Sequence, residues 1–345
     1  MPHLLTRSQK LDGTFGSSLL TPLLVPSFSS RSFPMVPGPP DGPAWRSEAG
    51  VLLHALADHL DEACLVSAYD IAYGHLGDTT QVLNRPQVVF IDSGGYECEV
   101  AVNEPTALWA PPYQARPWSA ELYRNLLSAL PKESPTQYAV VSYDLDGRGQ
   151  PVRTQIELAR LLLDEYPRAW SVVLLKPRGP AALIDVAEVL ANASLLTGFS
   201  IIGVAEKELG SNLLARVKAL INLRVGLDAA GVRAPVHLFG ALDPVLVPVY
   251  FMAGAEVFDG LSWLRFGFRE GIAIYLDAWG VLELDPSMDC CSAKVRAGVR
   301  NLVELERMKT RLLALVESGD ISVLKHHREV YAHWANVVQS TMGGR

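Results

Sequence analysis

Short apolar runs recur along the chain, and most of them end at a glycine or a charged residue. Runs of this kind are typical of strands that are buried on both faces of a parallel sheet. Eight strands are predicted within the sequences LLVPSF (23–28), ACLVSAYDIAY (63–73), VVFIDSGGYE (88–97), YAVVSYDLDG (138–147), SVVLLKP (171–177), FSIIGVA (199–205), VHLFGA (236–241) and AEVFDG (255–260). In the third of these, the apolar run 88–91 opens into a tight polar loop at Asp92.

Segments with helical spacing of apolar residues alternate with these strands, and Ser119 is placed to cap the second of them. The predicted helices cover 48–62, 120–130, 153–166, 180–196, 208–230 and 244–254. Because a helical crossover between successive strands makes a sheet parallel, eight such strands predict an α/β fold, a (β/α)8 TIM barrel.

Polar residues and glycines fall at the carboxyl ends of the predicted strands. In a (β/α)8 barrel these ends share one rim, so residues that are distant in sequence converge there. The rim set consists of Asp92, Asp144, Lys176, Gly203, Gly240 and Asp259. We expect a functional site at this rim.

The chain continues beyond the eighth predicted strand. Residues 261–285 are interpreted as a hairpin insertion with its turn at DAWG (277–280), and two helices follow at 294–316 and 320–339. We therefore predict a barrel with an N-terminal extension over 1–285 and a helical subdomain over 286–345. The long Pro-rich connection at 103–118 is typical of a lid.

Composition and charge limit the classes to which the protein can belong. The 345 residues carry a net charge of −7 and are 49% hydrophobic, and no apolar run reaches the about 18 residues of a membrane span. Four scattered cysteines indicate no disulfide framework, and the N-terminus has no secretory pattern. We expect a cytoplasmic protein without membrane contact.

Two aspartates at one rim suggest paired carboxylate chemistry, in which one group is the nucleophile or a charge stabiliser and the other is the acid and base. An isolated aspartate at a strand end more often caps a helix. The convergence of Asp92 and Asp259 with four other rim residues favours a site.

Four segments together resemble the tRNA-guanine transglycosylase superfamily, which includes a paralogue that inserts 7-deazaguanines into DNA. They are FIDSGGYE, IIGVA, LFGALDP and VFDG, and the similarity spans about 20–265. The resemblance implies that Asp259 attacks C1′ of a guanosine in a polynucleotide and expels guanine. Asp92 would protonate the departing guanine and deprotonate the 7-deazaguanine that replaces it.

The resemblance also implies a binding site for the base. Asp144 would read the ring's donors, Tyr96 and Phe239 would sandwich it, and Gly203 would offer backbone contacts. The implied substrate-binding set is Ser93, Gly94, Tyr96, Asp144, Lys176, Gly203, Phe239 and Gly240, of which Lys176 is included for proximity alone.

The chain departs from the superfamily in two places. The zinc motif C-x-C-x-x-C corresponds here to Met288, Cys290 and Ala293, so Cys290 is the only matching ligand and we expect no metal. The Pro-Thr-Arg run of the tRNA enzymes is replaced by LSWLRFGFRE, in which Arg265 and Arg269 are candidate phosphate contacts. The second departure slightly favours DNA over tRNA.

Three alternatives stay open at this point: a tRNA-guanine transglycosylase proper, a noncatalytic nucleic-acid-binding partner subunit, and a barrel enzyme that acts on a small nucleoside. The presence of both Asp92 and Asp259 argues against the second. The expected partners are a nucleic acid, either DNA or tRNA, and a 7-deazaguanine-type base, while partner proteins of a modification system and an oligomer stay open.

Overall fold

The computed structural model describes residues 4–14, 18–31, 33–38, 45–98, 115–131, 134–179, 182–283 and 290–343, without the side chains of Cys290 and Cys291. The predicted lid segment falls largely outside these residues. In the described part of the chain, no helix is both long and apolar enough to span a membrane.

Parallel strands close into a barrel in which spatial order follows chain order, so the predicted (β/α)8 fold is confirmed. Outside the barrel, short strands form antiparallel pairs: β1 with β2, β4 with β5 and β13 with β14. The strands are β1 (Lys10–Asp12), β2 (Ser18–Leu20), β3 (Leu23–Phe28), β4 (Met35–Pro37), β5 (Trp45–Ser47), β6 (Ala63–Ser67), β7 (Val88–Asp92), β8 (Gln137–Val141), β9 (Trp170–Leu175), β10 (Ile201–Ala205), β11 (Val236–Phe239), β12 (Val257–Gly260), β13 (Phe266–Arg269) and β14 (Ile272–Tyr275). The barrel is β3 and β6 to β12.

Helices surround the barrel and extend beyond it. They are α1 (Glu48–Leu56), α2 (Ala68–Ala72), α3 (Ala120–Ala129), α4 (Asp144–Gly147), α5 (Val152–Leu163), α6 (Val186–Ala191), α7 (Leu213–Ala229), α8 (Leu246–Met252), α9 (Ser262–Arg265), α10 (Leu276–Leu282), α11 (Cys290–Ser318) and α12 (Arg328–Gly343). The hydroxyl of Ser119 accepts a hydrogen bond from the amide of Leu122, which confirms the predicted cap of α3.

Two local predictions were wrong. The stretch 63–73 was expected to be one strand, but the strand ends at Ser67 and the chain turns into α2, where the buried carboxylate of Asp70 accepts hydrogen bonds from the Ser30 amide and hydroxyl. The hairpin after β12 exists, but it turns at Glu270 and Gly271, which have φ angles of 53° and 78°. The DAWG segment lies instead in α10.

The C-terminal helices pack on the barrel. Gly298 of α11 lies so close to α1 that a Cβ there would sit 2.7 Å from the Leu56 side chain, and Lys294 pairs with Glu48 at 2.6 Å. Buried Asn301 donates to the carbonyls of Trp263 and Phe266 at 2.5 and 2.7 Å. The segment after β12 is therefore fixed by α11, while the predicted domain boundary at 285 stays a prediction.

Alternation along the strands creates two apolar layers. Val88 and Phe90 of β7 point into the barrel, whereas Val89 and Ile91 pack against the surrounding helices. Because side chains alternate faces along a strand, the residue after Ile91 points into the barrel again. That residue is Asp92, so the alternation that builds the core also places its carboxyl group at the C-terminal rim of the barrel, here called the mouth.

Candidate active site

The alternation also brings polar residues of other strands to the mouth. In β3, β11 and β12, the interior face continues from the apolar layer to the upper end of the strand. The residues placed there are Ser27, His237, Phe239 and Asp259. The mouth is thus lined by side chains from neighbouring strands that are distant in sequence.

Asp259 is held by three hydrogen-bond donors. Its Oδ2 accepts from the Ser27 hydroxyl at 2.8 Å, and its Oδ1 accepts from the Gly240 amide at 3.1 Å and lies 3.1 Å from Nε2 of His237. The residue is 6% exposed. Three donors from three strands or their ends fix one orientation of the carboxylate.

Sequence reasoning missed His237, which is fully buried. Its ring stacks on Phe239 with centroids 3.7 Å apart, and Phe90 contacts it edge-on. An Nε2–H that donates to Asp259 leaves Nδ1 as an acceptor, and Nδ1 has no hydrogen-bond partner among the described residues. The signal that was available is a histidine on the interior face of an otherwise apolar strand.

Asp92 lies among other acids. Burial and the negative charges of Asp144 and Asp259 raise the pKa of Asp92 to about 7, whereas the Gly94 amide and Lys176 act in the opposite direction. Charges that raise a pKa in this way must lie nearby, so the two predicted catalytic aspartates share the mouth. A carboxyl group with a pKa near neutrality can both give and take a proton at pH 7.

Asp144 begins α4 at the end of β8 and is 5% exposed. The Ser93 hydroxyl donates to it, Arg148 donates at 3.2 Å, and Nζ of Lys176 lies 3.9 Å away. Lys176 itself pairs with Glu208 at 2.9 Å. Lys176 therefore lies beside the predicted base-reading carboxylate, as expected from its position in the chain, but its ammonium group is shared with a second acid.

Two glycines allow the DSGG loop to pack closely against Tyr69 and Asp144. Gly94 has a φ of 85°, and a Cβ there would lie 2.6 Å from Cβ of Tyr69. A Cβ on Gly95 would lie 2.5 Å from Oδ1 of Asp144. Any larger residue at either position would displace the loop that carries Asp92 and Ser93.

A buried carboxyl group lies under the same loop. Glu97 accepts hydrogen bonds from the hydroxyls of Ser29 at 2.5 Å and Ser67 at 2.8 Å. Burial and the charges of Asp70 and Asp92 raise the pKa of Glu97 to about 8. This group was not predicted, and it connects the ends of β3, β6 and β7.

Phe239 and Gly203 are neighbours on β11 and β10. A Cβ on Gly203 would lie 2.5 Å from Cε2 of Phe239, so the glycine makes room for the aromatic ring. Gly240 has a φ of 80°, which directs its amide to Asp259. The positions of these residues at the mouth agree with the predicted set, and their contacts with a base stay a prediction.

Tyr96 lies at the outer edge of the mouth and is 42% exposed. The guanidinium of Arg31 lies 4.2 Å from its ring centroid and donates to its carbonyl oxygen. Arg265 is exposed beside Phe33, at 5.6 Å, and Arg269 is exposed on β13, where it pairs with Glu270 at 3.8 Å. The contacts of both arginines with a polynucleotide stay predictions.

The residues that would hold a zinc ion are mostly outside the described part. Met288 is not described, nor is the side chain of Cys290, while Ala293 has no ligand atom. Among the described residues, no group of three or more His, Cys, Asp or Glu side chains forms a metal-binding cluster. His326 and His327 immediately precede α12 and are partly buried.

Comparison with known proteins points in the direction of the resemblance. No protein-family model matches the chain. The tRNA-guanine(15) transglycosylase of Aeropyrum pernix is 38% identical over 85 residues, which is 24% of this chain and only 16% of that protein. This partial similarity supports a relation to the transglycosylase superfamily, and it does not distinguish the enzymes that act on DNA from those that act on tRNA.

Proposed function

We propose that the protein is a base-exchange transglycosylase that replaces guanine in a nucleic acid with a 7-deazaguanine base. The observation that carries the proposal is the pair at the mouth: a carboxylate held by three donors, Asp259, beside a carboxyl group with a pKa of about 7, Asp92. Environments this different separate a nucleophile from an acid and base.

In the first step, a carboxylate oxygen of Asp259 attacks C1′ of the target nucleotide. The bond from C1′ to N9 of guanine breaks, and its electron pair stays with guanine, which receives a proton from Asp92. The product is a sugar esterified to Asp259 and an ionised Asp92. Because about half of Asp92 is protonated at its pKa, a pH near 7 keeps the acid form available.

In the second step, ionised Asp92 removes the proton from N9 of the incoming 7-deazaguanine. N9 attacks C1′, the ester bond breaks, and Asp259 is released as a carboxylate. Each step reverses the proton movement of the other, so the enzyme returns to its starting state without an outside acid.

Asp144 is proposed to read the base. An ionised carboxylate accepts from the N1–H and exocyclic amine of a guanine-like ring, and the Ser93 hydroxyl and Arg148 orient it for this. Phe239 and Tyr96 are proposed to sandwich the ring, and Gly203 is proposed to offer it a backbone contact, with Gly240 beside it. The target base must be unstacked to enter, which costs a few kcal/mol in a duplex and less in a loop.

DNA remains slightly favoured over tRNA as the polymer, because LSWLRFGFRE replaces the run typical of the tRNA enzymes. A tRNA-guanine transglycosylase and a noncatalytic partner subunit are the alternatives. The cytoplasmic location, an oligomeric state and partner proteins stay predictions from the sequence.

Incubation of the protein with labelled guanine and either DNA or bulk tRNA tests the proposal. We expect label in one polymer with the wild-type chain and none with Asp259→Asn. Denaturation during turnover should trap a polymer attached covalently to the wild-type protein alone. Label in neither polymer, with a folded protein and without an adduct, would contradict the proposal.

A further inference from the structure

Cationic side chains at the rim have different partners in the two halves of the barrel. On the side of β8, β9 and β10, they are engaged by acids: Arg148 by Asp144, Lys176 by Glu208, Arg178 by Glu188 and Arg216 by Glu206. On the side of β12, β3, β6 and β7, which are consecutive around the barrel, three arginines lie on aromatic rings.

Three residues make up this second group, here called the arginine arc: Arg31, Arg116 and Arg265. Arg31 follows β3 and lies over Tyr96 at 4.2 Å, whereas Arg265 follows β12 and lies beside Phe33 at 5.6 Å. Arg116 lies over Tyr73, a residue that follows β6, at 5.0 Å.

The arc is tied to the loop that carries Asp92. Arg31 donates to the carbonyl of Tyr96, and Trp118, two residues after Arg116, donates from Nε1 to the carbonyl of Ser93 at 2.7 Å. The amide of Arg116 also donates to the Tyr69 hydroxyl at 2.7 Å. The arginines are therefore positioned around the mouth.

Arg116 and Arg265 are exposed, and within the described ranges neither lies within ion-pair distance of a carboxylate. Two acids on this side, Asp70 and Glu97, are buried and accept hydrogen bonds from Ser30, His75, Ser29 and Ser67. A stacked guanidinium keeps its N–H groups at its edge available for a second partner.

We propose that the arginine arc binds the phosphodiester backbone of a single-stranded or looped nucleic acid whose target nucleotide enters the mouth. This inference rests on the proposed function. A planar guanidinium matches the oxygens of a phosphate, and a ring such as Tyr96 offers a face on which an unpaired neighbouring base stacks. Because the chain has a net charge of −7, the arc is a local exception to its overall repulsion of polyanions.

Binding of a short fluorescent oligonucleotide, measured by anisotropy between about 50 and 200 mM salt, tests the arc. The parent is the full chain with Asp259→Asn, which stops covalent chemistry. Its double variant adds Arg116→Gln and Arg265→Gln, and the matched control adds Arg178→Gln, which removes an exposed rim arginine paired with Glu188 on the other half. DNA and RNA of one sequence form separate arms, and polyglutamate serves as a competitor.

We expect the double variant to bind about tenfold more weakly, with a salt slope smaller by about 0.7 for each arginine lost. The control should bind like the parent, and polyglutamate should compete poorly. The arm with the larger loss identifies the polymer.

Three outcomes would overturn the proposal for the arginine arc. They are an unchanged affinity and salt slope in the double variant, an equal loss of affinity in the control, and equal competition by polyglutamate. Base exchange by the wild-type chain, measured in parallel, separates this result from failure of the proposed function. If the wild-type chain exchanges bases but binding does not depend on the arc arginines, only the proposal for the arginine arc fails. If neither exchange nor binding is observed, both proposals fail.

Discussion

Asp228 and Asp92 lie at opposite ends of the barrel, and the charges around them have opposite signs. At the lower end, Asp228 pairs with Arg7 and Arg224 at 2.5 and 2.8 Å, and these arginines lower the pKa of Asp228. At the mouth, burial and then the negative charges of Asp144 and Asp259 raise the pKa of Asp92 to about 7. The ion pair of Asp228 with Arg7 joins the N-terminal segment to α7. The acids at the mouth, in contrast, place like charges together without an evident structural gain. Such an arrangement is typical of a functional site.

The sharpest test of this contrast is the same substitution at each end. Asp259→Asn should reduce base exchange by at least about a thousandfold with little change in the free energy of unfolding, because it removes the proposed nucleophile. Asp228→Asn should destabilise the fold by about 3 kcal/mol and leave exchange intact below the melting temperature, because it leaves two arginines without their main partner. Urea unfolding and exchange of labelled guanine measure both. Equal loss of activity in the two variants would remove the distinction.

His237 provides a test within the mouth. His237→Phe removes the donor to Oδ1 of Asp259 and keeps an aromatic ring beside Phe239. We expect kcat to fall about tenfold to a hundredfold with little change in KM, since one oriented hydrogen bond to the nucleophile is lost. His237→Gln, which can still donate, should recover part of the loss. A change confined to KM would assign the histidine to base binding.

The two aspartates at the mouth were predicted from the sequence, but their hydrogen-bond partners were not. Asp92 and Asp259 were found because apolar runs end in carboxylates, and strand ends converge in any parallel barrel. The hydrogen bond from His237 could not be found in the same way, because it depends on the register in which His237 lies opposite Val257, two residues before Asp259. Periodicity identifies a face, but not which neighbour a buried polar side chain reaches.

Local errors have similar causes. The run AYDIAY reads as a continued strand, yet a helical turn there allows Asp70 to receive the Ser30 amide and hydroxyl. The hairpin turn was placed at DAWG because the residues on both sides alternate, whereas Glu270 and Gly271 provide the positive φ angles that a tight turn requires. In both cases a tertiary contact or turn geometry outweighed the apolar pattern.

The pH dependence of guanine release tests the repulsion among the upper acids. In the proposed mechanism the acid form of Asp92 is needed for guanine to leave, so the release rate should fall as the pH rises through about 7. Asp144→Asn removes a negative charge that raises this pKa. The descending limb of the pH–rate profile should therefore move to lower pH by about half a unit to one unit. Single-turnover release of labelled guanine measures the position of the limb, independently of weaker base binding. Glu256→Gln, at the lower end, should leave the limb in place.

The smallest expected effect concerns stability rather than chemistry. Asp92 and Glu256 have pKa values of about 7 and Glu97 of about 8, all above the values of unfolded acids. Between about pH 4 and pH 8 the folded protein therefore binds more protons than the unfolded chain, so the free energy of unfolding falls as the pH rises. Each such group contributes a slope of up to about 1.4 kcal/mol per pH unit. Glu97→Gln should flatten the upper part of this curve, in urea unfolding at successive pH values, because its amide has no proton to lose. An unchanged slope above pH 6 would mean that Glu97 is already ionised in the folded protein, and that the hydroxyls of Ser29 and Ser67 hold a charge instead of a neutral acid.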